Sequence, residues 1–269
     1  SNVRVKSTAR KRGACWAWQG QLHLLIGRKH AGRVAHLVIN RPQKLNAMDR
    51  PFFDQLTELM GQLSSDTEVN CVVLRGEGRA FSAGGDIATF PALTESRERA
   101  EEHVGAVFAA FHSIQECAVP VIAAVHGIAH GGALEIVMAC DMAIASTSAR
   151  FAFREVDHGL MPGFGITRAS EKIGLPWTMR LASSAEEVDA TTAQEIGIVM
   201  DVVEDDDLVS SAHDLALSIA CHSRHALEAI KSHLNRDSGR GIGEAVIATA
   251  GTFEDESTRR AIADFLSRD

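Results

Sequence analysis

The sequence predicts an α/β fold built as a spiral of strand-strand-helix units. Short apolar runs typical of buried strands alternate with longer stretches in which apolar residues recur at helical spacing. Of the 269 residues, 45% are hydrophobic, which suffices for one large core. This alternation favours an α/β architecture over a β-sandwich or a helical bundle.

The first half of the chain holds the clearest individual elements. Strands are predicted at residues 22–26, 33–40, 71–75 and 121–125. Asp49 is a suitable N-cap for the helix that follows, because its side chain can accept a hydrogen bond from the first turn, where Pro51 is also tolerated. The apolar face of this helix is Phe52, Leu56, Leu59, Met60 and Leu63. A second amphipathic helix is predicted at residues 101–117.

The second half continues the pattern and then becomes helical. A glycine break leads into a predicted helix at residues 132–140, and strands follow at residues 142–145 and at 150 to 153 or 154. A glycine- and proline-rich stretch from Gly159 to Gly165 then predicts a turn region. Further helices are predicted at residues 208–220, 226–234 and 242–266.

Charge and element order divide the chain into three parts. Residues 1–20 form a basic tail that we expect to be disordered, residues 21–205 form the spiral core with the ligand site, and residues 206–269 form a helical region for packing or oligomerisation. Residues 1–48 contain ten Lys or Arg and no acid, so the remainder carries 17 basic and 35 acidic residues, a net charge of −18. An acidic body repels nucleic acid, and only the N-terminal segment could bind it.

Apolar and cysteine patterns restrict the class of protein further. The most apolar stretch, residues 119–145, contains Pro120, Glu135 and Asp141, which favours buried core over a membrane span. The five cysteines are scattered and odd in number, which indicates reduced thiols and a cytoplasmic location. No Cys or His spacing typical of a metal site is present, so we expect no metal.

Two glycine segments carry the chemistry. If a helix begins at Gly132, its unpaired N–H groups face whatever binds at the Gly131-Gly132 pair, and Glu135 lies one turn along on the same face. The other segment, residues 82–87, can supply a second N–H, most plausibly that of Gly85. Two such amides can stabilise an oxyanion that develops from an activated carbonyl. A tight helix start and an ordinary turn are the structural alternatives.

Two other motifs are incomplete. Gly76-Glu77-Gly78 begins like a dinucleotide-binding fingerprint, but Phe81 occupies the place of the third glycine. Residues 80–84 approach the elbow of a serine hydrolase, with Ala80 where the first glycine belongs, so Ser82 is a poor candidate nucleophile.

Glu155 follows the strand predicted from residue 150 and precedes the glycine-rich turn. Alone, it would be read as a surface carboxylate. Paired with Glu135 in an apolar cleft, it gains a function, because two neighbouring carboxylates push their pKa values apart, so that one acid and one base coexist.

These residues together resemble the crotonase superfamily, the enoyl-CoA hydratase/isomerase family. The resemblance covers about residues 22–203. Its segments are residues 40–47, 82–87, 120–127, 131–141 and 151–165. It implies a crotonase-like spiral with a C-terminal helical region.

The resemblance also implies the roles of individual residues. Gly85 and Gly132 would form the oxyanion hole for the thioester oxygen of an acyl-CoA, and Glu135 (base) and Glu155 (acid) would add water across the 2,3 double bond. The substrate would be contacted by Lys44, Leu45, Ala47, Ala83, Gly85, Asp86, Ile87, Gly131 and Gly132. CoA is part of the substrate, so we expect no further cofactor.

The expected assembly is a homotrimer or a dimer of trimers, with neither nucleic acid nor membrane as partner. Hydratase is the leading interpretation because both carboxylate positions are occupied. An enoyl-CoA isomerase, or other crotonase-family enolate chemistry, is the first alternative. A non-catalytic acyl-CoA-binding or RNA-binding relative is the second.

Overall fold

The computed structural model describes residues 15–16, 23–29, 33–235, 242–254 and 256–267. Its strands are β1 (Cys15–Trp16), β2 (Leu24–Lys29), β3 (Val34–Ile39), β4 (Cys71–Gly76), β5 (Val121–Val125), β6 (Ile128–His130), β7 (Met142–Ser146), β8 (Arg150–Ala152), β9 (Val188–Asp189) and β10 (Asp201–Val203). Its α-helices are α1 (Arg50–Ser65), α2 (Pro91–Thr94), α3 (Arg97–Gln115), α4 (Gly132–Ala139), α5 (Gly163–Lys172), α6 (Gly174–Ser184), α7 (Ala190–Ile196), α8 (Leu208–Ala220), α9 (Arg224–Leu234), α10 (Ile242–Thr252) and α11 (Glu256–Leu266). Single 3₁₀ turns lie at Pro42–Lys44, Ile87–Thr89, Glu155–His158 and Asp205–Asp207.

The main sheet is parallel at its centre and buried on both faces. Within the described residues it has seven strands in the order β1-β2-β3-β4-β5-β7-β10. Leu37, Leu74 and Ala123 point to one face, whereas Val73 and Ile122 point to the other, where α8 packs. Burial on both sides explains why these strands are continuous apolar runs rather than alternating ones.

A smaller sheet positions the loops that matter for function. β6 pairs in parallel with β8, and β9 adds to β8 in antiparallel orientation. In this register His130 lies opposite Ala152. The residues that follow β6 and the residues that follow β8 therefore leave the sheet side by side.

The structure confirms the α/β class and the clearest predicted elements. The helix after Asp49 is α1, and Asp49 Oδ1 accepts a hydrogen bond from Phe52 N at 3.2 Å. The strand at residues 121–125 is β5, and the helix at residues 208–220 is α8. Of the predicted basic tail, only Cys15 and Trp16 are described, and they pair with Gly27 and Ile26 of β2. The rest of the tail lies outside the described residues.

Several predicted boundaries were wrong. The helix predicted at residues 101–117 begins at Arg97, because Ser96 caps it. The prediction missed this start because Arg97 and the two residues after it are charged and show no apolar pattern. The predicted strand at residues 150–154 ends at Ala152, so Glu155 opens a 3₁₀ turn. The predicted turn region becomes helical at Gly163, where α5 starts. The single helix predicted at residues 242–266 is divided into α10 and α11.

The apolar stretch at residues 119–145 is core, as predicted. Its strand β5 and its helix α4 are almost entirely buried. Among the helices in the described ranges, none combines the length and the apolarity needed to cross a bilayer.

The C-terminal helices pack on the core of their own chain. α10 contacts α3 and α5, and α11 contacts the 3₁₀ turn that begins at Glu155. α9 is anchored by Lys231, whose Nζ donates to Ile114 O and Val119 O at 3.1 Å and lies 2.7 Å from Asp141 Oδ2. The Lys231 side chain is only 5% exposed and the Asp141 side chain 22%, which makes this a largely buried ion pair.

We expect Lys231→Met to destabilise the fold by about 3 kcal/mol, because it leaves Asp141 and two carbonyls without their buried partner. The free energy of unfolding in urea at neutral pH measures this loss. Arg260→Met is the control, since Arg260 pairs with Glu256 on the surface of α11 and should change stability by less than about 0.5 kcal/mol. Equal stability of the two variants would contradict the anchoring role.

Candidate active site

The two glycine segments meet, as the sequence predicted. Ser82 N donates to Ile128 O at 3.0 Å, and His130 N donates to Ser82 O at 3.2 Å. Gly84 has a positive φ of 91°, and a Cβ built there would lie 2.5 Å from His130 O and 3.4 Å from Gly132 N. Only glycine permits this approach of the two backbones.

Gly85 and Gly132 line the same pocket. Gly132 is the first residue of α4, so its N–H has no acceptor within the helix. Gly131, with a φ of 54°, turns the chain from β6 into that helix. Across the described residues, neither the Gly85 amide nor the Gly132 amide has a hydrogen-bond acceptor. Both donors are therefore available to a ligand.

Glu135 is held at the N-terminus of a second helix. It lies in the first turn of α4, is 6% exposed, and its Oε1 accepts from Gly165 N of α5 at 2.6 Å. Burial raises the pKa of Glu135 to about 7, and the amides of Gly165 and Phe164 offset part of that effect. A Cβ on Gly165 would lie 2.6 Å from Glu135 Cγ, so this contact requires glycine.

Glu155 reaches the same pocket from the other side. Its Oε1 lies 3.1 Å from the point where a Cβ on Gly131 would stand. Its Oε2 is buried and, among the described residues, has no hydrogen-bond partner. Burial first, and the charge of Glu135 second, raise the pKa of Glu155 well above its ordinary value. These surroundings favour the protonated form of Glu155, whereas the amides of Gly165 and Phe164 favour the ionised form of Glu135.

The cavity around these groups has a volume of about 120 Å³. Seven predicted site residues line it, namely Ala83, Gly85, Ile87, Gly131, Gly132, Glu135 and Glu155. Sequence reasoning missed its aromatic lining, which is Phe53, Phe90, His103, Phe108, Phe111 and Phe253. Of these, Phe108 and Phe111 fall on the apolar face of a predicted helix, which was the only available signal.

Four predicted substrate contacts are not part of the pocket lining: Asp86, which lies between Gly85 and Ile87, and Lys44, Leu45 and Ala47, which lie on the adjoining loop. Lys44 is exposed, and Leu45 O accepts from Ala83 N at 2.8 Å. Arg41 Nη1 donates to Ala47 O at 3.0 Å and to Asp86 Oδ2 at 2.7 Å. The Asp86 carboxylate therefore ties its loop to the loop of residues 41–47.

Ser82 has a structural role and is not an exposed nucleophile. Its side chain is fully buried. The hydroxyl donates to Asn46 O at 2.8 Å and accepts from Gly84 N at 3.1 Å. This agrees with the weakness of the serine-hydrolase motif.

A search for metal ligands gives no candidate centre. Over the described ranges, no group of three or more His, Cys, Asp or Glu side chains is arranged to hold a metal ion.

Comparison with known proteins extends over most of the chain. A family model described as Enoyl-CoA hydratase/isomerase matches residues 29–263. The chain is 36% identical over 244 residues to the short-chain-enoyl-CoA hydratase of Clostridium acetobutylicum, covering 88% of this chain and 92% of that protein. It is 31% identical over 241 residues to the mitochondrial Delta(3,5)-Delta(2,4)-dienoyl-CoA isomerase of Dictyostelium discoideum, covering 85% and 82%. A crystal structure of an enoyl-CoA hydratase/isomerase from Mycobacterium paratuberculosis superposes with a TM-score of 0.84 at 25% identity, covering 92% of this chain and 100% of that one.

We expect Glu135→Gln to stabilise the fold at pH 8 but not at pH 4.5. The folded pKa is about 7 and the ordinary value is 4.5, so the folded state opposes ionisation. Ionisation of Glu135 does not destabilise the fold below pH 4.5, where the carboxyl group is protonated in both states. The destabilisation grows between pH 4.5 and 7, and above pH 7 it amounts to about 3 kcal/mol. The glutamine can still accept from the Gly165 amide. Unfolding in urea across this pH range measures the difference.

Glu58→Gln is the control for that experiment, because Glu58 is exposed on α1. It should show no comparable gain that grows with pH. A gain for Glu135→Gln that is equal at both pH values, or larger in acid, would rule out a raised pKa.

Proposed function

Since this chain belongs to the enoyl-CoA hydratase/isomerase family of the crotonase superfamily, we propose that it is an enoyl-CoA hydratase, which adds water across the 2,3 double bond of a 2-enoyl-CoA thioester. One observation carries the proposal. Glu135 and Glu155 share a buried pocket beside two unpaired backbone amides, and their surroundings differ.

The thioester oxygen binds to the amides of Gly85 and Gly132. These donors are fixed by the fold before the substrate arrives, so they stabilise the enolate oxyanion without further reorganisation. Each such donor is worth about 3 to 4 kcal/mol in the transition state. We infer that no metal and no redox cofactor take part, because fixed dipoles supply the charge stabilisation.

The two carboxylates divide the proton transfers between them. Glu135 is the base that takes a proton from water as its oxygen attacks C3, and the amides of α5 support its ionised form. Glu155 is the acid that protonates C2, since burial and the charge of Glu135 favour its protonated form. The Glu155 Oε2 has no hydrogen-bond partner among the described residues, so no other group of the protein that the structure describes competes for its proton. The residues proposed to contact the CoA moiety are Lys44, Leu45, Ala47, Ala83, Asp86 and Ile87.

Double-bond migration is the second candidate function. It is favoured by the similarity to the Dictyostelium discoideum isomerase, and it requires only one carboxylate to carry a proton between two carbons. The two functions therefore differ in how many glutamates they need.

We also propose an assembly and a location for the protein. Leu175 and Met179 expose 67% and 61% of their surface on α6, which supports burial against further copies in a homotrimer or dimer of trimers. Cys71, Cys117 and Cys140 are free and buried in the core, which supports a reducing, cytoplasmic compartment.

We expect Glu135→Gln and Glu155→Gln each to lower kcat for hydration of crotonyl-CoA by about 10²- to 10⁴-fold, with a much smaller effect on KM, because each removes one proton transfer. The loss of absorbance of the conjugated thioester measures the rate. Glu58→Gln should retain full activity. If one glutamine variant still migrates a double bond, the chain is an isomerase.

The non-catalytic alternative predicts a different pattern. The native chain would then turn over no enoyl-CoA, while the double variant Glu135→Gln/Glu155→Gln would bind acyl-CoA as tightly as the native chain. Hydration by the native chain excludes it.

The pH dependence of kcat/KM should rise with the ionisation of Glu135 near pH 7 and fall at higher pH as Glu155 loses its proton. In Glu155→Gln the residual activity should keep the rise near pH 7 and lose the fall. This follows because glutamine imitates the neutral acid but cannot ionise. A fall that persists in Glu155→Gln would belong to another group.

A further inference from the structure

The pocket continues from the catalytic groups along one face of α3. Phe111 lies near the proposed oxyanion site, with its Cζ 3.6 Å from the point where a Cβ on Gly132 would stand. His103 lines the same pocket eight residues earlier in the helix, which is about 12 Å along the axis. On this wall, an acyl chain that extends from Gly132 would approach His103 at its far end.

The surroundings of His103 are aromatic. The centroid of its ring lies 5.8 Å from that of Phe53 and 6.1 Å from that of Phe90, both in edge-to-face arrangements. The centroids of Phe90 and Phe253 are 5.6 Å apart. None of these rings carries a nitrogen or oxygen that could pair with an imidazole. Of the residues that the structure describes, none hydrogen-bonds to the His103 ring.

The ring is neutral at physiological pH. Burial first, and the nearby Arg50 second, lower the pKa of His103 to about 4. A neutral imidazole offers one N–H donor and one nitrogen acceptor. No described residue uses either group, and the His103 side chain is only partly buried in the wall of the pocket, so a ligand group there could hydrogen-bond to it in place of water.

We propose that His103 is a specificity-determining residue that selects 2-enoyl-CoA thioesters whose acyl chain carries a hydroxyl group near its far end over plain chains of equal length. The proposal rests on the proposed function, and it names the substrate class of the same site. A phenylalanine or leucine would fill the space better if the site served only a hydrocarbon chain.

A carboxylate at the end of the chain fits this place less well. Arg50 is already paired with Asp54 at 2.9 Å and with Glu102 at 3.3 Å. The phenylalanine walls would remove water from a charged group without replacing its hydrogen bonds. An uncharged hydroxyl can donate to or accept from the imidazole without that penalty.

The test compares kcat/KM for pairs of 2-enoyl-CoA thioesters of equal length, one ending in a methyl group and one in a hydroxymethyl group. Over a series of lengths, we expect the native chain to prefer the hydroxylated member by about ten-fold at the length that reaches His103. His103→Phe should remove the preference, and His103→Asn, which keeps a donor and an acceptor, should retain part of it. Crotonyl-CoA, which is too short to reach His103, should be hydrated by all three proteins.

Phe253→Leu is the matched control, because it alters the same pocket without changing its hydrogen-bonding capacity. It should change the rates for both members of a pair by the same factor. A native chain with no preference at any length, or a His103→Phe variant that keeps the native ratio, would overturn the proposal. Failure of the native chain to hydrate any thioester would instead overturn the proposed function, and this inference with it.

Discussion

The parallel pairing of β6 with β8 is the contact on which the site depends. Because His130 lies opposite Ala152, the chain leaves both strands at the same level, with Gly131 N bonded to Ala152 O at 2.8 Å. The segment after β6 runs through the Gly131-Gly132 pair into α4, which carries Glu135. The segment after β8 leads to Glu155. A shift of one residue in this pairing would move one carboxylate away from the other, because successive residues of a strand point to opposite faces. The positions of both acids are thus fixed by main-chain hydrogen bonds.

Identical side chains acquire different properties here through their neighbours. The first turn of α5 directs amides at Glu135, whereas an oxygen of Glu155 remains without a partner among the described residues. Placing both groups in an apolar pocket opposes folding at neutral pH, and the large surrounding core offsets this. The rigid sheet and the packed helices on either side of it keep the two environments distinct. The difference between the two glutamates is therefore set by the fold around them and not by residue type.

Local sequence signals were sufficient for part of the fold and for the main chemical groups. Strands such as β5 are uninterrupted apolar runs, and α1 has both a cap and an apolar face, so each could be predicted from its own residues. The role of Gly165 could not be predicted in this way, because it depends on a contact with Glu135, which lies thirty residues away in the chain. The aromatic lining was hidden for the same reason, because α1, α3, the turn after α10 and the loop that carries Phe90 each contribute to it. Periodicity reports which side chains are buried, but it does not report which buried side chains surround a common space.

The wall formed by α10 and the turn that follows it has a consequence for how the protein is made. Phe253 closes one side of the pocket by packing on Phe90, although the glycine segments and both glutamates precede it in the chain by many residues. A ribosome builds the polypeptide from its N-terminus, so the groups that would perform the reaction emerge long before the pocket is complete. Until Phe253 has been synthesised, the pocket lacks the side chain that packs on Phe90. Competence to bind a substrate tail is thus acquired late in synthesis.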